Sequence, residues 1–285
     1  MDVIAGGRLA GAVSAAGGLG FLGGGYTEDA DWFEREFAAA GNQSVGCGFI
    51  TWALRQSPQI LDAVVGIKAA GIPVFCQLQS RTDAERAIDC GTDVIVAQGT
   101  EAGGHGGTRA TLTLVPEIAD VIARRAPKTL LCAAGGIADG RGLAAALMLG
   151  ADGVVVGTRF WASQEALVHP SLHAAALAAG ADDTVRQSVL DIVRGRPWPA
   201  RYTGRVLRNE LVREWMGRET ELHAARDEQA ARYRKATNAA DASVAATIVG
   251  EAVGLIHAIE PAADIVERMV AEAETLLRRG NSLVR

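Results

Sequence analysis

The 285-residue chain is long enough for one large core, or for one domain with a smaller companion. With 49% apolar and 21% charged residues it has the balance of a globular protein, which excludes disordered and fibrous classes. Its 28 Lys+Arg against 33 Asp+Glu leave a formal net charge of −5, so nothing in the charge attracts nucleic acid or an anionic membrane, and small molecules are the expected partners.

The N-terminus is rich in Gly and Ala as far as Gly25, but its glycine density, its single early Arg8 and the lack of an A-x-A-like exit before Glu28 to Asp31 argue against a signal peptide. No apolar run reaches the roughly 18 residues of a membrane span. A cytoplasmic protein is expected. Cys47, Cys76, Cys90 and Cys132 lie in or near apolar runs without metal-site spacing, which predicts buried free thiols in a reducing compartment.

Short apolar runs alternate with longer Ala/Leu-rich stretches, the βα pattern of a parallel sheet covered on both faces. Six strands are predicted: Leu19 to Leu22, Val45 to Ile50, Pro73 to Leu78, Val94 to Ala97, Leu130 to Ala133 and Gly153 to Val156. Thr82 opens a predicted helix that ends at Cys90 and Gly91, and Asp139 caps another that stops at Gly150.

After Phe160 the composition changes. From Ser163 to about Lys235 no strand is predicted, Arg and Glu increase, and Pro197 and Pro199 flank Trp198 in a loop from Gly195 to Arg205. Ala240 to Leu277 reads as two amphipathic helices broken near Pro261. The expected organisation is a β/α unit over 1–162, a mainly helical unit over 163–238 and C-terminal helices over 239–285.

Parallel β/α enzymes place their sites at the carboxyl ends of the strands. Three strands here end in unusual loops. Val94 to Ala97 runs into Gln98-Gly99-Thr100-Glu101-Ala102-Gly103-Gly104-His105-Gly106-Gly107, where the four glycines flanking His105 let backbone approach a flat ligand and one imidazole is held over it. Gly135 and Gly136 follow the fifth strand, and Gly157 and Thr158 follow the sixth. Two successive glycine-bearing strand ends near the close of a β/α barrel suit a phosphate. The spaced glycines of Ala5 to Gly25 lack a dinucleotide fingerprint.

The strings Ala97 to Gly107 (AQGTEAGGHGG), Ala133 to Phe160 (AAGGIADGRGLAAALMLGADGVVVGTRF), Ala16 to Tyr26 (AGGLGFLGGGY) and Gly195 to Asn209 (GRPWPARYTGRVLRN) together resemble the nitronate monooxygenase family, once called 2-nitropropane dioxygenases. That resemblance implies an FMN-bearing TIM-type (β/α)8 barrel with a helical substrate domain, acting on a small nitro compound with O2 and releasing a carbonyl compound and nitrite. It makes His105 the catalytic residue that takes the α-proton of a nitroalkane, a task suited to an imidazole that is mostly neutral at physiological pH. It places Met1, Gly48, Gln98, Gly103, Gly104, Gly135, Gly136, Val155, Val156, Gly157 and Thr158 against the cofactor. Homo-oligomerisation is left open.

The chain also departs from that pattern. Met1 stands where relatives end a first strand, Leu61 to Gly71 holds only DAVVGIKAA where they carry a strand and helix, and Gly48 replaces an asparagine. The barrel is therefore expected to lack two strands. An NAD(P)H-dependent flavin reductase, of quinones or of enoyl thioesters on acyl carrier protein, shares the Gly-Gly-His loop, and a non-catalytic FMN-binding remnant is a third reading. His169 and His173, four apart without an intervening Glu, read as helix-face histidines rather than a metal pair. Glu101 is a candidate to orient the loop or to hydrogen-bond His105, with a solvated acid as the other reading, and Arg159, Trp198 and Arg208 are candidates either to line the pocket or to pack a domain junction.

Overall fold

In a computed structural model, which describes residues 4–26, 30–51 and 70–280, all six predicted strands are present to within three residues at either end. Helix α1 (Gly7–Ala15) leads to β1 (Gly20–Gly25), and α2 (Ala30–Ala39) leads to β2 (Val45–Phe49). These two strands pair in parallel, Leu22 opposite Cys47. The chain then runs through β3 (Phe75–Leu78), α3 (Arg81–Asp89), β4 (Val94–Gln98), β5 (Gly104–Gly106), α4 (Thr111–Arg125), β6 (Leu130–Ala134), α5 (Gly140–Met148) and β7 (Gly153–Val155).

Strands β3, β4, β6 and β7 form a parallel sheet in that order, with Val94 opposite both Phe75 and Leu130. Every residue of β4 is buried, the expected state of a run of Val-Ile-Val-Ala covered on both faces. Ile95, Ala97, Leu131 and Ala133 pack with Leu114 and Ile118 of α4, and with Ile265 and Met269 of the last helix, α12 (Ala262–Gly280). Because the four strands are parallel, the loops after Gln98, Ala134 and Val155 leave the sheet at one end. Among the described residues the pair and the quartet do not join into a ring. The stretch from Leu61 to Gly71, expected to lack a strand and helix that relatives carry, lies almost wholly outside the described residues.

Short helices α6 (Thr158–Trp161) and α7 (Pro170–Leu177) follow β7. The stretch expected to be free of strands is not: β8 (Thr184–Gln187) and β9 (Thr203–Leu207) pair antiparallel, and β9 also pairs with β5 in the glycine loop. Helices α8 (Val189–Arg194), α9 (Glu210–Trp215), α10 (Glu219–Ala224) and α11 (Arg226–Asn238) surround this small sheet. Val189, Val193, Val206, Leu211, Val212, Trp215 and Leu222 make a second core there.

Three smaller expectations change. Helix α3 begins at Arg81 with Ser80 as its cap, accepting from the Asp83 amide at 3.1 Å, two residues before Thr82. The C-terminal region holds one long helix, not two, since Ala240 to Pro261 is irregular apart from a 3-10 turn at Glu251–Leu255. The four cysteines are free as expected, but Cys90 is exposed and the other three are only half-buried. Asp139 caps α5 as read, accepting from the amides of Arg141 and Gly142. No helix of the described residues is long and apolar enough to cross a membrane.

Candidate active site

The loop after β4 is tied down at both ends before it presents its histidine. The Gly99 amide donates to Ala134 O at 2.8 Å, joining it to the end of β6, and the Thr100 amide donates to Arg109 O at 2.7 Å, closing the loop on itself. Gln98 is buried, and its Oε1 accepts from Gln79 Nε2 at 2.7 Å. The Glu101 carboxylate accepts from the Thr111 amide at 3.0 Å and from Thr111 Oγ1 at 2.8 Å. Glu101 thus anchors the loop to the start of α4, where a negative charge is favoured, and does not reach His105.

Two arginines hold the loop from the side of the small antiparallel sheet. Arg186 donates through Nε to Thr100 Oγ1 at 2.9 Å and through one terminal nitrogen to Thr203 O at 2.6 Å and Gly106 O at 3.3 Å. Arg205 donates to Thr100 O at 3.0 Å and pairs with Glu251 at 2.8 Å. Burial, and next the charge of Arg205, lower the Arg186 guanidinium to about 10. It remains a cation at neutral pH.

His105 sits in β5, opposite Gly204 of β9. Its Nε2 lies 2.8 Å from Asp191 Oδ2, and both side chains are largely covered, at 17% and 10% exposure. The indole of Trp198 stacks on the imidazole with centroids 3.7 Å apart and planes 5° from parallel. Trp198 Nε1 donates to the hydroxyl of Tyr26, which follows β1, and the Arg196 guanidinium lies 4.0 Å above the Tyr26 ring. The Gly195 to Tyr202 loop therefore reaches across the site and rests on the opposite pair of strands.

Gly135 and Gly136 turn the chain after β6 with φ of +103° and +74°, and Gly104 has φ of +74°, conformations that an L side chain resists. A Cβ at Gly103 would stand 2.6 Å from the Gly250 nitrogen, so this glycine is required by close approach of backbone. The Gly250 amide in turn donates to Thr158 Oγ1 at 2.9 Å. Gly157 faces open space where a Cβ would be, and Val155 and Val156 beside it are half-buried.

The structure thus brings Gln98, Gly103, Gly104, His105, Gly135, Gly136 and Thr158 into one connected region. Gly48 lies in β2 opposite Gly23, and no hydrogen bond ties it to these loops among the described residues. Met1 lies outside the described residues. Arg159 packs internally, donating to Ala162 O and Ala258 O, and the exposed Arg208 lies off the site. His169 caps α7, and His173 Nε2 lies 3.0 Å from Trp161 O. No metal-binding group occurs among the described residues. Asp191, Arg186, Arg205 and Gly250 were missed in the sequence. Each lies 80 or more positions from the loop residue it touches, so nothing local in the sequence pointed to it.

Parallel strands ending in glycine turns around one covered histidine describe a β/α enzyme. A model of the nitronate monooxygenase family matches residues 49–272. The nitronate monooxygenase of Neurospora crassa is 31% identical over 343 aligned positions, covering 98% of this chain and 89% of that one. The alignment is longer than this chain, so the relative carries stretches that this chain lacks. FabK from Thermotoga maritima superposes with a TM-score of 0.83 at 29% identity, over 100% of this chain and 94% of that one. The nitroalkane oxidase from Streptomyces ansochromogenes, with a TM-score of 0.78, 22% identity and coverage of 98% and 94%, shares the fold. The chain belongs to the nitronate monooxygenase family and is an oxidoreductase.

Proposed function

We propose that the protein oxidises alkyl nitronates, and nitroalkanes after removal of their α-proton, with O2 to a carbonyl compound and nitrite, using FMN held at the carboxyl ends of β4, β6 and β7. The observation that carries this reading is His105 itself: one covered imidazole, held by Asp191 and Trp198, in the loop that the end of β6 fastens at Gly99. The donor set suits a flavin phosphate. Gly135 and Gly136 turn with positive φ, and Gly157 has open space where a Cβ would stand, so an anion can approach the backbone closely there.

Gln98, Gly103, Gly104, Val155, Val156 and Thr158 are the further residues that would hold the cofactor, with Gly48 and Met1 proposed from resemblance alone. A bound flavin supplies the electron acceptor for the nitronate and the link to O2. His105 accepts the proton from the carbon beside the nitro group, Asp191 and Trp198 keep its ring in place, and Trp198 with Tyr26 covers the centre against bulk water.

The likeness to FabK favours a second reading, an NAD(P)H-dependent flavin reductase. Purified protein loaded with FMN separates the two. Anaerobic bleaching of the flavin by a nitronate, with nitrite released in air, supports the first reading. Rapid bleaching by NADPH with no response to nitronate supports the second. Protein that neither carries nor takes up FMN refutes both.

A further inference from the structure

The carboxylate of Asp191 is the only hydrogen-bond partner of the His105 ring among the described residues, and it meets Nε2. A carboxylate accepts and does not donate, so the hydrogen of the neutral imidazole belongs on Nε2 and the lone pair on Nδ1. Asp191 is 86 positions away in sequence, on the first turn of α8, and is itself buried at 7% exposure. Its helix is fastened by Val189, Leu190 and Val193 in the second core. The stack on Trp198 blocks one face of the ring, so rotation that exchanges the two nitrogens must break both the stack and the hydrogen bond.

We infer that Asp191 is a positioning residue which fixes His105 as the Nε2–H tautomer, so that Nδ1 is the atom that receives the proton. Resting on the proposed reaction, the step is a proton transfer. The α C–H bond breaks, its electron pair becomes the C=N bond of the nitronate as the N=O π pair moves onto oxygen, and the proton forms a bond to Nδ1. The resulting imidazolium is held by the Asp191 carboxylate through Nε2–H. The device therefore serves neutral nitroalkanes, whose proton must be removed, and is idle for nitronates, which have already lost it.

Two measurements on the full-length, FMN-loaded protein test this. Long-range proton–nitrogen NMR on histidine-labelled protein, with His105→Gln to identify the signals, reads the tautomer directly. Hydrogen on Nε2 is the expected result, and hydrogen on Nδ1 overturns the inference. This spectrum of the unsubstituted protein decides the point even where Asp191→Asn fails to fold. Kinetically, Asp191→Asn should lower kcat for a neutral nitroalkane by about tenfold or more beyond any loss in nitronate turnover, with KM for the nitroalkane within about twofold, and Asp191→Glu should recover part of the difference. Equal loss with both substrates, or none with either, overturns it. If the unsubstituted enzyme turns over neither nitro compound, the proposed reaction falls and the NMR result still settles the tautomer.

Discussion

Trp198 lies flat on His105, centroids 3.7 Å apart, and its indole nitrogen is fastened to the hydroxyl of Tyr26, just after β1. A stacked aromatic pair contributes about 0.5–1.5 kcal/mol beyond burial, so its loss should loosen the ring by up to about tenfold in rate. Trp198→Ala is expected to lower kcat/KM for nitroalkanes to that extent, and Trp198→Phe much less. Steady-state kinetics check this, and identical values for the alanine and phenylalanine variants would contradict it.

His105→Ala should keep its FMN and slow neutral nitroalkane turnover by about 10²- to 10⁴-fold, the usual contribution of a general base. Nitronate turnover should fall far less. Nitrite release from the two substrates at matched pH measures the ratio. A variant as fast as the parent on the nitroalkane would refute proton transfer to this residue.

The turn after β6 depends on φ values only glycine adopts freely. Gly136→Ala, at φ of +74°, should cost about 1–2 kcal/mol of stability and reduce FMN retention. Thermal unfolding with and without added FMN reads both effects. An unchanged midpoint together with full flavin content would show that the turn tolerates a side chain.

Arg186 stays a cation, since burial and the Arg205 charge lower it only to about 10 against the opposing charges of Glu251 and Glu101, and it donates to Thr203 O, Gly106 O and Thr100 Oγ1 at once. Relief from the nearby Arg205 charge favours its removal, but the stranded acceptors outweigh that gain. Arg186→Met should destabilise by about 3 kcal/mol, and Arg186→Lys should not recover it, since an ammonium cannot span the same acceptors. Urea titration provides the measurement, and an unchanged or higher midpoint for the methionine variant would count against the clamp.

Cys90 is exposed, whereas burial raises the thiols of Cys76 and Cys132, and raises Cys47 to about 11. At pH 8 only about a thousandth of Cys47 is thiolate, so a thiol reagent should label Cys90 first. Mass spectrometry of the timed adducts checks the order. Modification of Cys47 at the rate of Cys90 would contradict it.

Much of this is legible in the sequence. Val94 to Ala97 and Leu130 to Ala133 are continuous apolar runs of strand length between glycine-closed helices, and their length and flanking glycines mark them as buried strands. The glycine loops follow directly from their ends. The small antiparallel sheet was not legible, because Thr184–Gln187 buries Arg186 and Gln187 beneath a loop, and polar residues in a short run read as surface until the loop they serve is known. The C-terminal misreading has a similar origin: Val244, Val249 and Val253 are buried by packing against the second core and against α6 and α7, so their apolar spacing mimics a helix that the backbone does not form.

The sequence by itself determined the order of strands, the loops at their carboxyl ends and the histidine among them, since each depends on periodicity and on glycine within a few residues. Only the tertiary structure decided what that histidine touches. Asp191, Trp198 and Arg186 reach the loop from 80 or more residues away through the antiparallel pairing of β5, β9 and β8, and long-range pairing leaves no local periodicity to read.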